Sequence, residues 1–431
     1  MNDAPYSMSE FARLQERVRQ LETCYRITSL LNSELNLTHL LDTIMNIAKK
    51  VMKADACSLL LKDEDTGDLV FQVALSDVRD TIMTMNRVKL GEGIAGSVAA
   101  SGEALIIKDA YEHPSFNPAF DKKTGFTTGS ILCSPLKNKE DVIGVCQVIH
   151  NRDKGQVFSQ PDLELFQMFC DSATLAIQNA KMHHILMENQ RFERDMDFAK
   201  SVQESFLPAK APERPGFRFA GKTAPARVVG GDFYDFFELD EQRLGVVVGD
   251  VSGKGVPAAL QMARLMSDFR YLSQLDSHCG NVLSAVNKAM CERSHRGMFT
   301  TVLYMVFDVK ANSLRVANGG HHSLMVRDSQ GGIREMAPAS GPPLGILSVS
   351  SYQEETCAIQ SGDWFLSYTD GLTEPKNPSN EEFGIERVKT IFKEWTGSPE
   401  GLLEKIESEI DVFTEGAPPF DDLTCVVCQA L

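Results

Sequence analysis

The stretch from Gln160 to about Leu207 constrains this chain more than any other, because it reads as a single uninterrupted helix. Phe166, Phe169, Ala173, Ala176, Ala180 and Met187 recur along it at heptad-like spacing. Phe192, Met196, Ala199, Val202 and Phe206 continue the apolar stripe out of register with its first part, the offset that a stutter introduces into a coiled coil. A helix of this length cannot bury its whole stripe inside one small domain. The chain is therefore expected to fold as more than one body, with the helix running between them. Two arrangements satisfy the stripe: packing against the helix's own domain, or a parallel helix pair in a homodimer. Pro208, Pro212 and Pro215 end the helix.

Both flanks carry strand patterns. Residues 8–35 read as helical, with Phe11, Leu14, Val18, Leu21 and Tyr25 at three- and four-residue spacing. Residues 37–52 predict a second helix, with Leu40, Leu41, Ile44, Ile47, Ala48 and Val51 on one side. The period then falls to two. Strands at 56–61 and 69–74 flank the turn residues Asp65-Thr-Gly-Asp68. A glycine-led helix at 91–99, a strand at 104–107, a polar loop at 109–128 and strands at 130–136 and 142–149 complete this part. Beyond the long helix, strands are expected at 245–251, 300–308, 313–317, 323–327, 363–369 and 423–428, and helices at 257–275, 386–395 and 399–413. Strands that do not alternate regularly with helices predict an α+β layered fold.

Composition narrows the function classes. With 43 % hydrophobic and 24 % charged residues over 431 positions, there is apolar mass for sizeable cores. A formal net charge of −16 repels phosphate backbones and anionic lipid, so neither nucleic acid nor a membrane is an expected partner. No stretch reaches the ~18 continuous apolar residues of a membrane span. Met1 to Glu10 is polar and lacks the charged-then-apolar pattern of a secretion leader. Ten cysteines are scattered without zinc-site spacing. The one close pair, Cys425 and Cys428, falls on an expected strand, where residues three apart face opposite sides; two core thiols are the reading. Reduced thiols suit a cytoplasmic location.

Four aspartates sit where apolar runs end and turns begin: Asp232 in Val228-Val-Gly-Gly-Asp-Phe-Tyr-Asp235, Asp250 in Val248-Gly-Asp-Val-Ser-Gly-Lys-Gly255, Asp370 in Tyr368-Thr-Asp-Gly371, and Asp421 in Pro419-Phe-Asp-Asp-Leu-Thr424. A single Asp-Gly is ordinarily a β-turn. Four carboxylates at strand ends point instead to a cation, and an oxygen-only set selects Mg²⁺ or Mn²⁺ over zinc.

Together with Asn318-Gly-Gly-His-His-Ser323 and Pro343-Leu-Gly-Ile346, these segments resemble, in order, the bacterial SpoIIE/RsbU branch of the PPM (type 2C) protein phosphatases. The resemblance covers residues 198–431 and includes Val202-Gln-Glu-Ser-Phe-Leu-Pro208. It implies a β-sandwich flanked by helices, holding two Mn²⁺ or Mg²⁺ ions at one edge. Carried over by motif, Asp250 would bridge both ions and the Val251 carbonyl would complete one shell. Asp370 and Asp421 would hold the other ion, and Asp232 would contact the site directly or through water. Asp422 is the fallback for Asp421, and Asp235 is a brace for its turn. The implied reaction is hydrolysis of phosphoserine or phosphothreonine on a protein by ion-activated water, with no nucleophilic side chain. Two departures stand out. Eukaryotic relatives have a His two residues after the bridging Asp, where this chain has Ser252, so the leaving-group acid is unassigned. For their phosphate-gripping arginine, the candidates here are Arg227 and Lys254. His321 and His322 are expected to fix a turn.

The earlier segment, 23–180, resembles a GAF domain, best in Ser130-Ile-Leu-Cys-Ser-Pro-Leu136 followed by Val142-Ile-Gly-Val145. Cyclic-nucleotide-binding GAF domains carry Asn-Lys…Phe-x-x-x-Asp-Glu. This chain has Asn151, Arg152, Phe158 and Asp162, with Leu163 in place of the Glu. A cyclic nucleotide, another small molecule or a purely dimerising role are all open. The layout expected is an N-terminal helix (1–22), a GAF sensory domain (23–180), a helical linker (181–208) and a PPM-type phosphatase domain (209–431). The branch implies a phosphorylated STAS-type anti-sigma-factor antagonist as substrate. The contrasting readings are a module that binds a phosphoprotein without cleaving it, and a metal-dependent nucleotide hydrolase.

Overall fold

Period-two burial organises the first of two units, residues 1–191, around a six-stranded antiparallel sheet. In the computed structural model, the described residues are 29, 34–75, 87–293, 297–417 and 419–431. The expected N-terminal helix (1–22), and all but the end of the helical reading over 8–35, lie outside them. Helix α1 (Leu37–Val51) starts at Asn36, whose side chain accepts from the His39 N–H, and ends on Lys49 and Lys50, cations that suit a helix C-terminus. Then come β1 (Ala56–Lys62), β2 (Leu69–Leu75), β3 (Arg87–Val88), α2 (Gly93–Ser101), β4 (Leu105–Ile107), α3 (Ala119–Thr124), β5 (Thr128–Asn138) and β6 (Asp141–Asn151). Their order in the sheet is β3-β2-β1-β6-β5-β4. Alternate residues serve opposite faces. Leu59 and Leu61 join the core under α1, while Leu60 joins the core under α2.

Helix α4 runs unbroken from Gln160 to Glu204. Asp162 in its first turn accepts both the N–H (2.8 Å) and the hydroxyl (2.5 Å) of Ser159, which fixes the entry to the helix. Phe166, Phe169, Ala173, Ala176 and Ala180 are core residues of the first unit. Packing against the helix's own domain therefore accounts for the first part of the stripe. Beyond Ala180 the apolar side chains Met182, Ile185, Leu186, Met187, Phe192 and Phe198 are exposed.

The second unit, residues 192–431, is a sandwich of two five-stranded antiparallel sheets with a helical layer on each outer face. Its elements are β7 (Phe217–Ala224), β8 (Phe233–Glu238), β9 (Arg243–Val251), α5 (Val256–Leu272), α6 (Cys279–Arg293), β10 (Thr300–Asp308), β11 (Ser313–Gly319), β12 (Leu324–Arg327), β13 (Ile333–Met336), β14 (Glu354–Ala358), β15 (Trp364–Tyr368), α7 (Ile385–Glu394), α8 (Pro399–Thr414) and β16 (Leu423–Ala430). One sheet is β14-β11-β10-β9-β8 and the other β13-β12-β15-β16-β7. Val246 and Val248 fill the space between the sheets, and Val247 turns outward to Met262, Leu265 and Phe269 of α5. Cys428 points between the sheets and Cys425 towards α7 and α8, so both thiols are core residues on opposite faces. No helix among the described residues is long and apolar enough to cross a membrane.

Candidate active site

Strand pairing gathers the acidic residues. Phe233 pairs with Gly249 across β8 and β9, which sets Asp232 beside Asp250 at one end of the first sheet. In the second sheet Tyr368 pairs with Cys425, and the Thr369 N–H donates to the Thr424 carbonyl at 3.0 Å, which brings Asp370 to the segment carrying Asp421 and Asp422. Side chains stitch the two ends together. The Thr369 hydroxyl donates to Asp232 Oδ2 at 2.6 Å. Asp422 accepts the N–H groups of Ala226 and Gly231, each at 2.8 Å. Glycine is required here: a Cβ on Gly230 would lie 2.3 Å from Asp422 Oδ2, and one on Gly371 would lie 2.0 Å from the Asp422 carbonyl oxygen.

Burial lifts the Asp250 carboxyl to about 6, with the neighbouring charges of Asp370, Asp421 and Asp422 adding to it and a hydrogen bond with Asp232 opposing. Asp232 is pushed far above the usual carboxylate range by burial and then by Asp250, partly offset by the Thr369 hydroxyl. Asp370 is raised by burial and then by Asp421. Lys254 brings one cation, its ammonium 3.0 Å from Asp421 Oδ2. Among the described residues no three acidic, imidazole or thiol groups are drawn into a closed cage. Surplus negative charge on an oxygen-only set fits hard divalent cations.

The remaining candidates fall at different distances from this cluster. Asp422, considered as a stand-in for Asp421, spends its carboxylate on backbone N–H groups. Asp235 is fully buried and forms a two-point ion pair with Arg270, at 2.6 and 3.1 Å. Val251 ends β9, and its carbonyl lies against Gly231. Arg227 is exposed on the loop that Asp422 holds. Ser252 ties the turn after β9 to Phe299 by two hydrogen bonds of 2.9 Å, one through its N–H and one through its hydroxyl. His321 is buried and bonded to Thr301 through Nδ1 at 2.9 Å, its N–H held by Asn318, whereas His322 is exposed and stacks on Tyr368.

Three participants went unnoticed in the sequence. Thr369 and Glu374 flank Asp370, and burial, then Asp370, raise the Glu374 carboxyl. A hydroxyl directly before an acidic turn residue was the available signal for Thr369. Gln203, in the last turn of α4, grips Gly230 twice, donating to its carbonyl at 2.7 Å and accepting its N–H at 3.2 Å. Only long-range structure reveals that contact.

In the first unit, a cavity of about 150 Å³ lies on the α2 face, lined by Phe71, Ile94, Phe116, Phe126, Ile131 and Gln147 among others. Asn151, Arg152, Phe158 and Asp162 do not line it. Asn151 caps the following turn, Arg152 pairs with Asp109 at 2.7 Å, Phe158 stacks on His150, and Asp162 caps α4. Those four residues brace the fold.

Residues 240–431 match the sequence profile of the family described as Stage II sporulation protein E (SpoIIE), and residues 36–177 match that of the GAF domain. Protein IcfG of Synechocystis sp. is 28 % identical over 401 residues, taking in 85 % of this chain but 59 % of that protein, so the chain spans less than two thirds of this relative's length. It spans 21 % of the probable 3',5'-cyclic phosphodiesterase pde-5 of Caenorhabditis elegans, at 35 % identity over 156 residues and 34 % of this chain. Phosphoserine phosphatase RsbU of Bacillus subtilis is 26 % identical over 240 residues, covering 56 % of this chain and 71 % of that protein. Among solved structures, the SiaA-PP2C domain of Pseudomonas aeruginosa superposes with a TM-score of 0.50 at 21 % identity, over 56 % of this chain and 98 % of that one, a likeness of fold.

Proposed function

We propose that this chain, a GAF domain joined to a PPM-type phosphatase domain of the SpoIIE branch, hydrolyses phosphoserine or phosphothreonine on a partner protein. The observation that carries the reading is the gathering of Asp232, Asp250, Asp370 and Asp421 at the strand ends of both sheets, joined by the Thr369–Asp232 hydrogen bond. Two Mn²⁺ or Mg²⁺ ions held there by these carboxylates and the Val251 carbonyl would supply an activated water and neutralise charge on the phosphoryl group. The chain's own groups set the stage. Asp422 fixes the 226–231 loop, Thr369 orients Asp232, and Arg227 sits at the rim to meet phosphate oxygens. No side-chain nucleophile is called for.

The finer reading follows the branch. The substrate is a phosphorylated STAS-type anti-sigma-factor antagonist in the cytoplasm, and the chain works as a homodimer through the exposed α4 side chains of the 181–208 linker. The GAF domain, with a small molecule such as a cyclic nucleotide as its possible ligand, regulates the site. Gln203 supports such a link, because it joins the end of α4 to the loop that leads into Asp232. The test is hydrolysis of p-nitrophenyl phosphate by the metal-stripped full chain after adding Mn²⁺ or Mg²⁺, with Asp250→Ala alongside. Ion-dependent turnover by the wild type alone supports the reading. Equal turnover by both proteins, or turnover in EDTA, rejects it.

A further inference from the structure

Each oxygen of Asp421 has a partner. Its Oδ2 takes the Lys254 ammonium at 3.0 Å, and its Oδ1 accepts the Asp422 N–H at 3.0 Å. The same ammonium donates to the Phe420 carbonyl at 2.9 Å and lies 4.7 Å from the centre of the Phe420 ring. Lys254 thus clasps the segment before β16 from three sides. It stands between Gly253 (φ 95°) and Gly255 (φ 77°), in the turn between Asp250 and α5. A Cβ on either glycine would meet nothing within 4 Å, while Ser252 ties the start of the turn to Phe299. The Lys254 side chain keeps 37 % of its surface, and water can receive its charge when it swings out.

We infer that Lys254 is a tethered counter-ion of Asp421, which a divalent ion must displace to use that carboxylate. The inference rests on the reading of Asp421 as an ion ligand. A monovalent ammonium on a flexible stem and a divalent ion compete for one carboxylate, and both cannot sit against Oδ2 without mutual repulsion. The exchange leaves a free ammonium at the mouth of the site. Lys254 is then a positioning residue for loading, and the lysine lowers the affinity for the ion held at Asp421.

The test is calorimetric titration of Mn²⁺ into the metal-stripped full chain, comparing wild type with Lys254→Met, Lys254→Gln and Lys254→Arg. Removing the ammonium is expected to tighten the weaker binding step about tenfold in both Lys254→Met and Lys254→Gln, equivalent to about 1.4 kcal/mol. Lys254→Arg, which keeps the charge, is expected to bind like wild type. The extra affinity of Lys254→Met should shrink when Asp421 is also changed to Asn. Unchanged or weaker Mn²⁺ binding by both Lys254→Met and Lys254→Gln, beside a wild type that binds, overturns the inference alone. A wild type that takes up no Mn²⁺ overturns the ion-site reading with it.

Discussion

At the scale of single residues, two adjacent aspartates do different work. Asp422 accepts N–H groups from Ala226 and Gly231, and its loss would orphan those donors in a tightly packed turn. Asp422→Ala is expected to cost about 3–6 kcal/mol in urea unfolding measured in EDTA, as each of its two hydrogen bonds to a charged acceptor is worth about 1.5–3 kcal/mol. Asp421→Ala, at a partly exposed position, is expected to leave that stability within about 1 kcal/mol of wild type. His321 gives a pH signature. Burial, then the neighbouring His322, depress its imidazole to about 3. The unfolded chain takes up that proton near pH 6.5 and the folded one does not, so stability falls as pH drops from about 6.5 towards 3. By pH 5 the loss is about 2 kcal/mol. Urea midpoints across that range should decline less steeply in His321→Gln; parallel curves would contradict the assignment. The acidic residues were visible in the sequence because each stands where an apolar run meets a turn, with glycine beside Asp232, Asp250 and Asp370. Which of Asp421 and Asp422 faces outward was not, since that depends on backbone donors nearly 200 positions away.

At the scale of elements, the long helix shows how far periodicity carries. Its stripe from Phe166 to Ala180 is core, whereas Phe192 is 64 % and Phe198 is 72 % exposed. An amphipathic pattern states that a face is buried but not against what. Exposed apolar side chains over several turns, with the dimer reading, make a specific expectation. A Phe192→Ala, Met196→Ala double variant should shift sedimentation from dimer towards monomer and alter phosphatase activity; unchanged mass and unchanged activity would count against a dimeric linker. Strands with both faces buried, such as β9 and β10, were legible as apolar runs. Helix α6 was not. It carries Gly280, whose missing side chain makes room for the Tyr352 carbonyl, and polar Asn287 sits within its buried face. Strand β7, half-buried along its second half, gave no alternation to read.

At the scale of the whole molecule, the chain carries a GAF-like fold and an acidic cluster on separate units. The GAF-like signature was easy to find but easy to over-read: its residues cap and brace, while the cavity draws on β1, β2, β5, β6 and α2. Coupling should pass through the Gln203–Gly230 contact. Gln203→Ala is therefore expected to lower kcat about three- to tenfold, with little change in KM and in melting temperature, because the loop leading into Asp232 loses its grip without losing its fold. An unchanged kcat would place regulation elsewhere. The account as a whole stands on the aspartate cluster being a two-ion protein phosphatase site. The most direct test is phosphate release from a phosphoserine-bearing STAS-type antagonist by the full chain with Mn²⁺, run beside Asp250→Asn. The expected result is turnover by the wild type, stopped by EDTA and reduced at least about a thousandfold by the substitution. Turnover by Asp250→Asn at the wild-type rate, or binding of the phosphoprotein with no release of phosphate by the wild type, would contradict it.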